Sequence, residues 1–233
     1  MAKTAGLPLG KLCSGVNIND ITHRVIEKGQ FHKSARMEKT LSEAINIQVP
    51  YNFERLLYYL ADENYDLVTE WMSTMEETDR LDLNEEWLNL LQNNFASSRI
   101  TDDEMCETMR SVYNRFNYFV DPHTAIAVAA AEKIGYVLDG DGGCSSKHYA
   151  ILSTASPCKF EESVTTAMGK EGWSAYFQSE FPAGAKNILS KRECTPTLYK
   201  WPEGMSLKEV QGDWEKKAWY LLENHFGQRL TDL

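Results

Sequence analysis

Apolar positions change period along this chain, and the changes mark its organisation. Leu12 and Cys13 follow a Gly/Pro turn and predict a short first strand. Asn17, Ile18, Asn19 and Asp20 then offer N-cap side chains for a helix running to about residue 28, and Gly29 stands where a helix C-cap glycine belongs. Leu41, Ala44 and Ile45 recur at helical spacing within 38–47, a helix or an ordered loop that Pro50 breaks. Phe53, Leu56, Leu57 and Leu60 predict a helix over 52–61, and similar spacing predicts others over 68–75 and 88–95. A further helix opens at Thr101, where Thr101 and Glu104 form a capping box and Asp102 and Asp103 suit the positive helix end. Residues 52–116 therefore read as nearly all helical.

After Pro122 the pattern shifts. Residues 124–133 form an alanine-rich helix able to pack closely on a sheet. Residues 149–153 read as a strand and 159–168 as a helix, the alternation of a parallel α/β layer. The end of the chain is aromatic, with Trp173, Trp201, Trp214 and Trp219, and closes in an amphipathic helix over 212–226. The predicted class is α/β with a largely helical insertion: 1–50 and 117–168 in the α/β layer, 51–116 a helical block, 169–233 a C-terminal extension.

Composition narrows the function. The 233 residues carry a net charge of -10, which repels phosphate backbones and disfavours nucleic-acid binding, while leaving room for a small phosphorylated substrate. No apolar run is long enough to span a membrane, and the first residues lack the apolar core of a secretory signal. The five cysteines are scattered, odd in number and without metal-ligand spacing, as suits reduced thiols in the cytoplasm. No metal site is predicted. The Gly-Asp-Gly-Gly run at 140–143 lacks the spacing of a nucleotide-binding loop and reads as loop punctuation.

The chemistry-bearing residues are few. In ILSTASPCKF (151–160) a strand stops at Ser153 and Thr154, and a Pro-broken turn with Lys159 leads into a helix. Such a junction is where an α/β protein holds an anion or a cofactor ring. Thr154, with Ser153 beside it, suits a neutral contact to a ring nitrogen, or simply caps its own turn. Lys159 suits a phosphate, or is a solvated lysine. In DPHTA (121–125), His123 is a candidate anion donor or acid–base group, or else caps and packs, and Thr124 can cap the next helix. In YNFERLL (51–57), Asn52 reads first as an N-cap, and Arg55 as a phosphate ligand or an exposed helix charge.

Four stretches occur together and in order: AGLPLGKLCSGVNINDI, IQVPYNFERLLYYL, VDPHTAIAVAAAEK and ILSTASPCKFEESV. From residue 5 to about 169 they resemble the threonine synthases and their threonine-synthase-like relatives. The resemblance implies the C-terminal part of the tryptophan-synthase-β-like fold, fold type II of the pyridoxal-phosphate enzymes. It implies a carbon–oxygen lyase that converts O-phosphohomoserine and water to threonine and phosphate. Thr154 then matches the hydroxyl meeting the pyridine nitrogen, and His123, Lys159, Asn52 and Arg55 match positions near the active cleft. Two departures stand out: Ser156 replaces a usual His, and Cys158 a usual Ala. The family's Schiff-base lysine lies in a Phe-Lys-Asp segment absent from this sequence, and its phosphate-binding Gly-rich loop also belongs upstream. The reading is therefore of a chain truncated at its N-terminus, whose partner is the remaining half of the same fold. A threonine-synthase-like phospho-lyase yielding a keto acid, and a non-catalytic binding protein, are the alternatives.

Overall fold

The computed structural model describes residues 2–3, 5–136, 149–192 and 198–230, without the side chains of 225–230; the glycine-rich run at 140–143 lies outside the described residues. In chain order the elements are β1 (Leu12–Val16), α1 (Ile21–Lys28), β2 (Gln30–His32), α2 (Glu54–Leu60), α3 (Tyr65–Thr78), β3 (Arg80–Asp82), α4 (Glu85–Asn94), β4 (Phe95–Arg99), α5 (Asp102–Phe116), α6 (Pro122–Lys133), α7 (Glu161–Ser179), α8 (Ala183–Leu189) and α9 (Leu207–Leu230). Short 3-10 turns occupy Glu43–Ile45, Tyr51–Phe53 and Pro157–Lys159. Two units are distinct, Met1–Lys186 and Asn187–Leu233.

In the first unit β1 and β4 pair in parallel, Leu12 opposite Phe95 and Val16 opposite Arg99. Parallel pairs need a long crossover and covered faces. Here both α1 and α6 pack on the two strands. The contact with α6 is close: a Cβ on Gly15 would stand 2.8 Å from the Ile126 carbonyl oxygen and 3.0 Å from the Ala130 side chain. The alanines of α6 and the missing side chain of Gly15 are thus one feature, small residues letting helix and strand approach.

Two hydrophobic clusters follow from this layering. One joins α5, α6 and the start of α7 through Met105, Met109, Ile126 and Val164. The other joins α1 to α2, α3 and α4 through Val25, Ile26, Leu57, Met75 and Leu91, with Phe31 of β2 and Leu81 of β3. An aromatic group of Phe119, Tyr176 and Phe181 closes the far end of α7. In the second unit, Ser206 opens α9 by bonding Glu209, and Trp201 lies edge-on to Trp214.

The predicted helix before Gly29 is present, and Gly29 is left-handed at φ 71°. The capping box at Thr101 forms as predicted. The helix from 161 breaks at Gly169, whose φ of 76° and ψ of 173° leave the helical region. Two expectations fail. The stretch 52–116 is not nearly all helical, because β3 and β4 interrupt it. Phe95 leaves α4 in extended conformation, and Ser97 and Ser98, weak helix formers, are buried in the ladder to β1. Residues 151–153 are not a strand. No described strand runs beside them, and the next amide, Thr154, donates to a side chain instead.

Candidate active site

Three helix N-termini, those of α5, α6 and α7, meet one loop, residues 38–47. The Leu41 N–H donates to Asp102 Oδ2 at 3.1 Å on α5. The Ser163 hydroxyl of α7 donates to the Leu41 carbonyl at 2.7 Å. The Ala44 N–H donates to His123 Nε2 at 3.1 Å on α6. The loop's other side is held by the asparagines that follow β1. Asn17 Nδ2 reaches Thr40 Oγ1 and Ser42 Oγ at 3.0 Å each and Asn46 Oδ1 at 2.8 Å. Asn19 exchanges bonds with the Glu38 backbone at 2.8 and 2.9 Å. The site thus lies just beyond the carboxyl ends of parallel strands, where α/β folds bind ligands.

Asp121 organises the start of α6. It precedes Pro122, which fixes the first helical φ and needs no N–H partner, so Asp121 rather than Thr124 is the N-cap. Its Oδ1 accepts from the His123 amide at 2.9 Å and faces His123 Nδ1 at 3.0 Å, and its Oδ2 accepts the Thr124 hydroxyl. Burial pushes the Asp121 carboxyl up, but bonds from the His123 and Thr124 side chains and amides outweigh it and hold the group below its ordinary value. Thr124 Oγ1 in turn accepts the Thr154 N–H at 3.3 Å.

His123 and Thr154 therefore belong to one bonded cluster. The Thr154 side chain is exposed, as is Ser153, and no described residue bonds the Thr154 hydroxyl. His123 is buried, with its ring against Phe160 at 4.7 Å between centroids. Lys159 lies at the edge of the cluster, exposed, in a cleft of 480 Å³ shared with Lys39, Glu43 and Asp102. Ser156 faces away from solvent toward the Tyr176 hydroxyl at 3.2 Å, and burial raises the Tyr176 phenol above its ordinary value against that opposing bond.

Asn52 and Arg55 stand apart. Asn52 does not cap its helix; its Oδ1 accepts from Arg55 Nη2 at 2.9 Å. The chain enters α2 through a 3-10 turn that follows Pro50, so Phe53 stands at the capping position of α2, with no side-chain cap bond. Arg55 lines a separate cleft of 570 Å³ with Tyr58, Tyr59 and Tyr65. No described contact joins the pair to His123, Thr154 or Lys159. Sequence reading passed over Asp121 as a site residue and missed the Asn17–Thr40–Asn46 network. Asp before Pro at a helix start signals the first; nothing local signals a network that spans 29 residues.

Residues 124–203 match the family model described as "Threonine synthase, C-terminal". The threonine synthase of Saccharomyces cerevisiae is 34% identical over 188 residues, 75% of this chain and 35% of that protein. Threonine synthase-like 2 of Rattus norvegicus is 34% identical over 167 residues, 72% of this chain and 33% of that protein. The crystal structure of threonine synthase from yeast superposes with a TM-score of 0.72 at 30% identity, over 82% of this chain and 40% of that one. A pyridoxal-phosphate-bound threonine synthase from Brucella melitensis gives 0.70 at 29% identity, over 82% and 38%. The chain spans about a third of the length of its curated relatives. In sequence and in backbone, this chain carries a C-terminal region of the threonine synthase family, with the α/β fold of those pyridoxal-phosphate enzymes.

Proposed function

We propose that these residues form one wall of a pyridoxal-phosphate site in a lyase acting on a small phosphorylated amino acid, O-phosphohomoserine by family. The observation that carries the reading is the exposed Thr154 hydroxyl, free of described partners, on a segment anchored through Thr124 to a buried carboxylate. The residues fit one edge of the cofactor. A neutral hydroxyl suits an unprotonated ring nitrogen, and the anchored amide fixes where that hydroxyl stands. They do not supply its covalent attachment, since the sequence has no Phe-Lys-Asp. Bound pyridoxal phosphate supplies an electron sink that labilises bonds at the amino-acid carbons. Thr154 orients the ring, Ser153 lines the same edge, and exposed Lys159 draws the substrate phosphate by charge. His123, with both ring nitrogens engaged, orients its neighbours. Asn52 and Arg55 support α2, and their phosphate role requires a ligand reaching the second cleft.

One observation favours the lyase that ends at a keto acid over threonine formation. Where the resemblance places a His, this chain has Ser156, whose hydroxyl bonds the Tyr176 hydroxyl and does not ionise at neutral pH. Titrating the 233-residue chain with pyridoxal phosphate, followed by borohydride trapping and peptide mapping, tests the wall. Reversible binding weakened by Thr154→Val and no single labelled lysine is expected. Stoichiometric trapping on one lysine would show that the chain holds its own covalent site.

A further inference from the structure

We infer that Asp121 and His123 are positioning residues, a hydrogen-bonded latch that fastens the 38–47 loop and the Thr154 segment to the same helix end, with His123 fixed as the neutral Nδ1–H tautomer. An imidazole nitrogen that accepts an amide must have its lone pair free. His123 Nε2 accepts the Ala44 N–H at 3.1 Å, so the ring proton sits on Nδ1, 3.0 Å from Asp121 Oδ1. Neither nitrogen is then available to a substrate, and the side chain is only 5% exposed. The bonds run without a break from Ala44 through His123 to Asp121, from Asp121 to the Thr124 hydroxyl, and from Thr124 to the Thr154 amide.

The same loop also carries Thr40, Leu41 and Glu43 of the cleft at Lys159. One buried carboxylate therefore sets both the hydroxyl that meets the ring nitrogen and one side of the cleft beside it. A bulky apolar residue in place of His123 would fill the space but accept nothing from Ala44. The consequence for Thr154 rests on the proposed function; the tautomer and the bonding do not.

Two-bond proton–nitrogen correlation on the labelled 233-residue chain reads the tautomer directly. The Nδ1–H form at neutral pH is expected for His123; the Nε2–H form or an imidazolium would overturn the latch. Amide exchange reads the coupling. Thr124→Val should speed exchange at Thr154 at least threefold while leaving Ala44 within twofold, and Thr124→Ser should restore the native rate. Native exchange at Thr154 in Thr124→Val, or no rescue by Ser, would overturn it. If Thr124→Val does not fold, the tautomer of the unaltered chain and the rate in Thr124→Ser decide. Should these results hold while Thr154→Val leaves pyridoxal-phosphate affinity unchanged, the latch stands and the functional reading of Thr154 falls.

Discussion

Asp121 holds the start of α6, the His123 ring and the Thr124 hydroxyl through one buried carboxylate. Replacing it with Ala removes a helix cap and leaves the His123 ring N–H and the Thr124 hydroxyl buried without an acceptor. A loss of about 3 kcal/mol is expected, read by urea unfolding. Its ionisation adds a pH dependence of definite sign. The folded carboxyl lies below its unfolded value, so its stabilising contribution is complete above the ordinary carboxylate range, near pH 4. The contribution is lost as pH falls through the folded value. Asp121→Asn should therefore flatten the acid limb of the stability profile; an unchanged limb would assign that limb to other carboxylates. Part of this was legible beforehand, since Asp-Pro at a helix start is a local pattern. The partner of His123 was not, because Ala44 lies 79 residues away.

Elements were legible where a local rule forms them. The Thr101–Glu104 box closes within one turn, with the Thr101 amide on Glu104 Oε2 at 2.8 Å. Thr101→Ala should cost about 1 kcal/mol by the same unfolding measurement, the size of a lost N-cap. Strands were harder, because a partner makes them. Residues 95–99 follow a helix without a break in sequence pattern, and their pairing with β1 turns them extended. Residues 151–153 have strand-like composition and no strand partner among the described residues. The β1–α6 contact gives the element scale its own test. Gly15→Ala would push a methyl against the Ile126 carbonyl and should destabilise by about 2 kcal/mol, with loss of the close helix–strand approach.

At the scale of the molecule, the described strands of the first unit form two separate pairs, β1 with β4 in parallel and β2 with β3 antiparallel, so among the described residues β1 and β4 each present one unpaired edge. Open edges recruit other strands. The purified chain is expected to self-associate with rising concentration in sedimentation experiments. Leu12→Lys, a charge at an exposed edge position, should shift it toward the monomer. A concentration-independent monomer for the native sequence would show that the edges are already covered. The five cysteines and the net charge of -10 say nothing of this assembly, which depends on where backbone groups go unpaired.

The sequence by itself determined the helices that cap and end by local chemistry, the α/β class, and the family likeness carried by four ordered stretches. Each depends on residues a few positions apart, or on patterns kept in order along the chain. Only the tertiary structure decided that residues 95–99 are a strand, that 151–154 form an anchored loop, and that His123 holds structure through two engaged nitrogens. It also separated Asn52 and Arg55 from the Thr154 cluster. These outcomes turn on which distant group satisfies a buried donor or acceptor, and spacing along a chain does not record that.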